Sequence, residues 1–201
     1  MRFGLVGLGV AATVTAATLT LAASQGTTAK PAAPQGGGMA MNTGKMTDAA
    51  IIKSAVSAAP AAIGKAAAVI TPDDKGGVRT VRQGTNGWTC MPDMPDTPGP
   101  DPMCVDKNGL GWAMAWLQHK DPPADKIGFA YMLMGGTDAS NTDPFATKPA
   151  AGQKWISTGP HVMVLNIGTH FDGYPTTPGD ASSPYVMFPG TPYAHLMIPV
   201  K

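Results

Sequence analysis

The sequence GPHVMVL at residues 159–165 is matched near the C-terminus by PYAHLMIPV at residues 192–200. Both are apolar runs rich in strand-forming residues, and each contains a His-x-Met triplet. Side chains alternate across a strand, so the His and the Met of each triplet face the same way. If the two strands lie side by side, two imidazoles and two thioethers share one patch. The four residues are His161, Met163, His195 and Met197.

This set of four side chains predicts a copper site. Imidazole nitrogen is a borderline ligand and thioether sulfur is a soft one, a combination that suits Cu(I) and tolerates Cu(II). We therefore expect the four residues to be metal ligands, with copper as the favoured cofactor. The alternative is a pair of ordinary core strands, because Met fills gaps in cores and a buried His can satisfy its nitrogens with backbone carbonyls.

The segments around the triplets predict a sheet with helices packed on it. YVMF at 185–188 and PGTP at 189–192 predict a hairpin with the last strand, which places Met187 near the second triplet. Residues 127–134 are typical of a buried strand, and residues 106–118 of a helix whose apolar face holds Leu110, Ala113, Met114 and Leu117.

Further towards the N-terminus, Thr47 is a good helix N-cap, with Ile51 and Ala55 on one helical face. Residues 69–71 and 78–82 then predict a β-hairpin. With 25 Gly and 20 Pro, the chain is rich in turns. The expected fold class is α+β: one compact domain over residues 47–201, with an antiparallel sheet, two or three short helices and long Pro/Gly-rich loops.

The N-terminal residues have the pattern of an export signal. Arg2 is followed by an apolar stretch and then by small residues, which predicts a signal peptide at 1–24 and places the mature chain in the periplasm or outside the cell. An uncleaved membrane anchor is the alternative. Residues 25–46, rich in Gly, Ala, Thr and Pro, predict a disordered linker. Once the signal is cleaved, no membrane association is expected.

Charge and catalytic motifs exclude some classes of function. The net charge of +1 argues against a nucleic-acid partner. The chain lacks a Gly-x-Ser-x-Gly elbow, a His-Glu-x-x-His helix and a nucleotide-binding Gly run. No catalytic residue is assigned, and a non-enzymatic protein that binds a small ligand or a metal ion is favoured.

The two cysteines, Cys90 and Cys104, predict a disulfide in an oxidising compartment. A reactive or metal-binding thiol pair is the alternative. The loop between them, residues 91–103, holds five prolines and should be neither helix nor regular strand. It forms either a rigid lip over the site, with Asp93 and Asp101 nearby, or a surface loop whose Asp side chains cap turns.

A second polar loop covers residues 136–147 and contains Asp138 and Asp143, which we also expect near the site. A calcium loop would use the oxygens of this segment, but the spacing and terminal Glu of such a loop are missing. Side chains that cap turns explain the same residues.

Two other functions remain open at this stage. A secreted hydrolase would use His161 or His195 as its base, with Asp138 or Asp143 orienting the ring. An envelope-associated structural or interaction domain would use the aromatic side chains, as would a small-molecule pocket. The four tryptophans are Trp88, Trp112, Trp116 and Trp155.

The chain contains the motifs NGWTCMPD at 86–93, DPMC at 101–104, ASNTDP at 139–144 and GTPYAHLM at 190–197. These motifs resemble those of a family of secreted bacterial proteins that has no assigned activity. The resemblance covers the chain from about residue 47 to the end. Export is consistent with this family, and catalysis is not implied by it.

Overall fold

The structure is a computed structural model that describes residues 46–168, 170–178 and 182–200. The predicted signal peptide, and the predicted linker up to residue 45, lie outside these ranges. Within them the chain is α+β, as predicted, with three helices and ten strands. Most of the strands form one large, mainly antiparallel sheet.

The three helices are α1 (Asp48–Val56), α2 (Ala61–Gly64) and α3 (Lys107–Leu117). Both longer helices begin at the predicted cap residues. The Thr47 hydroxyl accepts a hydrogen bond from the Ala50 amide, and the Asp106 carboxylate accepts one from the Gly109 amide. Each cap satisfies an amide that the first turn leaves without an intrahelical partner.

The ten strands are β1 (Ala68–Pro72), β2 (Val78–Arg82), β3 (Thr89–Met91), β4 (Met103–Val105), β5 (Gly128–Met132), β6 (Gly136–Asp138), β7 (Ile156–Thr158), β8 (His161–Leu165), β9 (Tyr185–Met187) and β10 (His195–Pro199). Eight of them form a sheet in the order β2-β1-β3-β4-β5-β8-β10-β9, and β6 pairs with β7 in a small second sheet. All neighbours are antiparallel except β1 and β3, which are parallel.

The large sheet separates two apolar cores. Cys104 belongs to the core that includes Ile51 and Ala55 of α1, whereas Val105 belongs to the core that includes Trp112 of α3. Successive strand residues point to opposite faces, so the two cores lie on opposite sides of the sheet. The His-x-Met triplets face the α3 side, because Met163 and Met197 belong to that core.

Helix α3 approaches β5 very closely. A Cβ placed on Gly128 would lie 2.4 Å from the Gly109 backbone nitrogen, a separation that no side chain can occupy. The Asp106 carboxylate, which caps α3, also accepts a hydrogen bond from the Phe129 amide. Glycines at 109 and 128 therefore fix α3 against the sheet, and α3 forms one wall of the site described below.

The disulfide joins Cys90 of β3 to Cys104 of β4, as predicted, and both residues are fully buried. The irregular part of the segment between the cysteines is shorter than predicted, because Met91 and Met103 belong to strands. They pair across β3 and β4 as the ends of regular strands. Cross-strand hydrogen bonding continues one residue past each cysteine until the prolines interrupt it.

Three other sequence predictions are wrong in part. The buried face of α3 is centred on Gly109, Trp112 and Ala113, whereas Leu110, Met114 and Leu117 are only half-buried. Residues 127–134 do not form a fully buried strand, since Phe129 is 44% exposed on the face away from α3. The predicted polar loop at 136–147 begins with β6, which pairs with β7.

Within the ranges that the structure describes, no helix has both the length and the apolar character needed to cross a membrane.

Candidate functional site

The two His-x-Met triplets lie on neighbouring strands. β8 and β10 pair antiparallel, with Met163 directly opposite Met197. The side chains of both triplets point to the α3 side of the sheet and all four are buried. The predicted side-by-side arrangement of the two strands is confirmed.

The strand register offsets the two histidines along the sheet. His161 lies opposite Pro199, four residues along β10 from His195. At about 3.4 Å per residue, the two histidine Cα atoms are roughly 14 Å apart. The antiparallel register places the two methionines in the middle and one histidine at each end.

Each histidine has a further methionine directly beside it on an outer strand. Met132 of β5 is opposite His161, and Met187 of β9 is opposite His195. The proximity of Met187 is predicted by the hairpin, but that of Met132 is not. We refer to the four strand methionines together as the methionine floor: Met132, Met163, Met187 and Met197.

The backbone holds both imidazoles in the same state. Nδ1 of His161 lies 2.7 Å from the Gly159 carbonyl oxygen, and Nδ1 of His195 lies 2.9 Å from the Tyr193 carbonyl oxygen. A carbonyl oxygen can only accept, so Nδ1 carries the proton and Nε2 carries the lone pair. Both Nε2 atoms are buried and have no hydrogen-bond partner among the residues that the structure describes.

Burial keeps both rings neutral. It lowers the pKa of His161, and it lowers the pKa of His195 to about 4. The backbone hydrogen bond opposes the shift in each case, while the charge on a protonated His161 would lower the pKa of His195 further. At neutral pH each ring therefore offers an unprotonated nitrogen, the form that binds metal ions.

Both Nε2 atoms belong to residues that line one cavity of about 390 Å³ beneath α3. The methionine floor forms its base, and α3 contributes Trp112 and Trp116. Met94 and Met103 raise the number of lining methionines to six. Exposed residues at the rim include Asp96, Asp143 and Thr147.

At the His161 end, Gly136 of β6 leaves space beside the imidazole. A Cβ on this residue would lie 3.4 Å from His161 Cε1, 3.2 Å from the Met132 methyl carbon and 3.9 Å from the Met132 sulfur. The imidazole edge and the thioether thus meet at the position where any other residue would place a side-chain carbon. Neither Met132 nor Gly136 carries a sequence signal for this role.

At the His195 end, aromatic rings surround the imidazole. Trp112 and Phe188 contact it edge to face, with ring centroids 5.2 and 5.6 Å away. Phe188 has a backbone φ of 53°, which is costly for a bulky residue. Its amide donates to the Asn141 carbonyl and its own carbonyl accepts from the Thr191 hydroxyl, which holds the ring in place.

Two carboxyl groups near the cavity have raised pKa values. Burial raises the pKa of Asp138 to about 7, and the nearby charge of Asp101 contributes. Burial also raises the pKa of Asp101 to about 6, although hydrogen bonds from the Met94 amide and the Thr97 hydroxyl oppose the shift. Both residues line the cavity, so these two carboxyl groups carry little negative charge at mildly acidic pH.

The other two predicted acidic residues have structural partners. The Asp93 carboxylate accepts a hydrogen bond from the Asp101 amide within the disulfide loop, and Asp93 lines a smaller neighbouring pocket. The Asp143 carboxylate accepts one from the Phe145 amide. The Ser140 hydroxyl accepts bonds from the amides two and three residues further on, a turn arrangement that accounts for this loop without calcium.

The hydrolase hypothesis requires an Asp beside a His, and the structure shows other partners. Both Nδ1 atoms are bonded to backbone carbonyls, so Asp138 and Asp143 do not orient the rings. Among the residues that the structure describes, no group of three or more His, Cys, Asp or Glu side chains could hold a metal ion. Any metal bound here would depend on methionine sulfur.

Comparison of the chain with family models, with curated proteins and with solved structures finds no match. The resemblance to a family of secreted bacterial proteins therefore stays a prediction.

Proposed function

We propose that this chain is an exported, non-catalytic binding protein that holds Cu(I) in the cavity beneath α3. The observation that carries this proposal is the pair of buried Nε2 atoms above the methionine floor, neither of which has a hydrogen-bond partner in the described part of the chain. A buried acceptor without a partner is costly, and a bound ion would satisfy it.

The ligand chemistry favours a soft ion. Thioether sulfur and neutral imidazole suit Cu(I), whereas Ca²⁺ and Mg²⁺ require several oxygen ligands. Zn²⁺ prefers thiolate, imidazole and carboxylate, and the cysteines of this chain are joined in a disulfide. The cavity offers sulfur in six methionines and nitrogen in two histidines.

Export fits this proposal. The Cys90–Cys104 disulfide is typical of an oxidising compartment, and the N-terminal sequence predicts a signal peptide. A periplasmic or secreted copper-binding protein would meet copper outside the cytoplasm.

A second candidate ligand is a small apolar molecule, which the cavity volume favours. About 390 Å³ lies within the usual range for organic ligands and far exceeds the volume of one ion. Trp112 Nε1 is buried and has no acceptor within the described ranges, and Trp112 lines the same cavity as the two histidines. A ligand with one hydroxyl group could satisfy a donor and an acceptor together.

Thermal unfolding in the presence of metal ions separates these candidates. The disulfide-intact protein is titrated with Ag(I), a soft monovalent ion that needs no reductant, and then with Cu(I) under anaerobic conditions. An ion that binds only the folded state should add about 2.7 kcal/mol at a hundredfold excess over its dissociation constant. Zn²⁺ and Ca²⁺ should cause no shift.

The test protein is a double variant that carries both His161→Ala and His195→Ala, and the control protein carries His170→Ala. His170 is exposed in a loop and does not line the cavity. The double variant should lose the metal-induced shift, and the control should keep it. A shift that survives the double variant, or no shift with either soft ion, would contradict the proposal and favour the organic ligand.

A further inference from the structure

We infer that the cavity holds two separate Cu(I) ions, one at each end of the methionine floor. This inference rests on the proposed function and specifies its stoichiometry. We call the two positions the His161 half-site, with Met132 as its outer methionine, and the His195 half-site, with Met187 as its outer methionine.

The strand pairing relates the two half-sites by an approximate two-fold axis. β5 flanks β8 on one side, and β9 flanks β10 on the other. Met132 is opposite His161 in the same way that Met187 is opposite His195. Met163 and Met197 face each other at the centre, so each lies next to both half-sites.

Each half-site therefore has one imidazole and up to three thioethers within the reach of neighbouring strand positions. His161 has Met132 opposite it, Met163 two residues along its own strand, and Met197 diagonally across. His195 has Met187, Met197 and Met163 in the corresponding positions. Diagonal neighbours on one face of a sheet are close enough for long side chains to touch.

The strand register argues against a single ion that binds both imidazoles. A metal–nitrogen distance of about 2 Å requires the two Nε2 atoms to lie within about 4 Å of each other. Strand side chains stand roughly perpendicular to the sheet, so the nitrogens keep much of the roughly 14 Å that separates their Cα atoms. The register thus assigns the two histidines to different ions.

The surroundings of the two half-sites also differ, so a substitution can alter one half-site without altering the other. Gly136 leaves space beside the His161 imidazole and the Met132 thioether. The His195 imidazole is instead enclosed by the Trp112 and Phe188 rings. A change at Gly136 should therefore affect only the first half-site.

Repulsion between the ions should make their affinities unequal. Two unit charges at most roughly 14 Å apart, at the effective dielectric of a protein site, weaken the second binding step by at least roughly fivefold. We expect two steps that are resolved in a titration and that both saturate.

The experiment counts bound ions by native mass spectrometry and equilibrium dialysis with Ag(I) and with Cu(I), using the full chain with its disulfide intact. The wild-type protein should bind two ions. His161→Ala, His195→Ala and Gly136→Ala should each bind one. His170→Ala is the control, because His170 is exposed in a loop and does not line the cavity, and it should bind two.

The outcomes distinguish this inference from the proposed function. No bound ion in the wild-type protein refutes both. One ion, lost in either histidine variant, refutes the two-ion inference and leaves the Cu(I) proposal standing. If a histidine variant does not fold, Gly136→Ala decides the question at the His161 half-site, and Met187→Leu decides it at the other. Two ions in either of these variants would also refute the assignment.

Discussion

Replacing Asp138 by Asn should stabilise the protein at alkaline pH and leave it nearly unchanged at acidic pH. Burial raises the pKa of this carboxyl group to about 7 in the folded chain, whereas an unfolded Asp ionises near pH 4. The folded state therefore binds the proton more tightly. The stabilisation that the protonated Asp138 carboxyl group contributes is fully present below about pH 4 and is lost as the pH rises through about 7.

The structure sets the size of this effect. A difference of about three pKa units corresponds to about 4 kcal/mol, which is an upper value because Asp138 is not fully buried. Asn has nearly the same shape and carries no charge at any pH. Within the described residues no hydrogen bond reaches the Asp138 carboxylate, so the amide replaces no observed partner.

The assay is urea denaturation of the wild-type protein and the Asp138→Asn variant at several values between about pH 4 and pH 8. The variant should gain stability relative to the wild type as the pH rises, by up to about 4 kcal/mol. Asp101→Asn is the contrasting variant, because the pKa of Asp101 is raised less, to about 6, and its two oxygens each accept a hydrogen bond, of which Asn can keep only one. It should therefore gain less stability at pH 8 than Asp138→Asn. A stability difference between the wild type and the Asp138→Asn variant that does not change with pH would refute the reasoning.

Three further predictions concern the scaffold. Replacing Cys90 and Cys104 by Ala should cost about 3 kcal/mol in denaturation experiments, because the disulfide closes a loop with a sequence separation of 14; an unchanged denaturation midpoint would contradict this. Gly128→Ala should lower the melting temperature strongly, since its Cβ would meet the backbone of Gly109, whereas Gly159→Ala should have little effect. Arg82→Lys should cost about 1–3 kcal/mol, because the Arg82 guanidinium donates to the carbonyls of Gly64 and Ala67 with a geometry that one ammonium group cannot reproduce; a wild-type urea midpoint in this variant would show that those bonds contribute nothing.

Local patterns predict the elements of this fold well. The caps at Thr47 and Asp106, and the hairpins of β1–β2 and β9–β10, follow from residues close together in the sequence. Capping and tight turns depend on neighbouring residues, so one sequence is enough to recognise them. The period-two alternation in β8 likewise predicts that His161 and Met163 share a buried face.

Contacts between distant segments are what the sequence does not reveal. The register of β8 on β10 is set by packing and by a long connection, and a shift of two residues would keep every side chain on the same face while moving the histidines. The closeness of Met132 to His161 depends on β5 lying beside β8, and the parallel pairing of β1 with β3 has no local signal. The three-residue strands β6 and β7 are too short to show a periodic pattern.

The burial of the methionine floor also bears on chemical damage. Methionine sulfur is readily converted to the sulfoxide, which is polar and presents a hard oxygen in place of a soft sulfur. Met163, Met187 and Met197 are each at most 4% exposed, so solvent-borne oxidants reach them poorly. If the chain is exported, as its N-terminal sequence predicts, it works away from reducing repair systems, and burial would keep these thioethers in the unoxidised form that the proposed Cu(I) site requires.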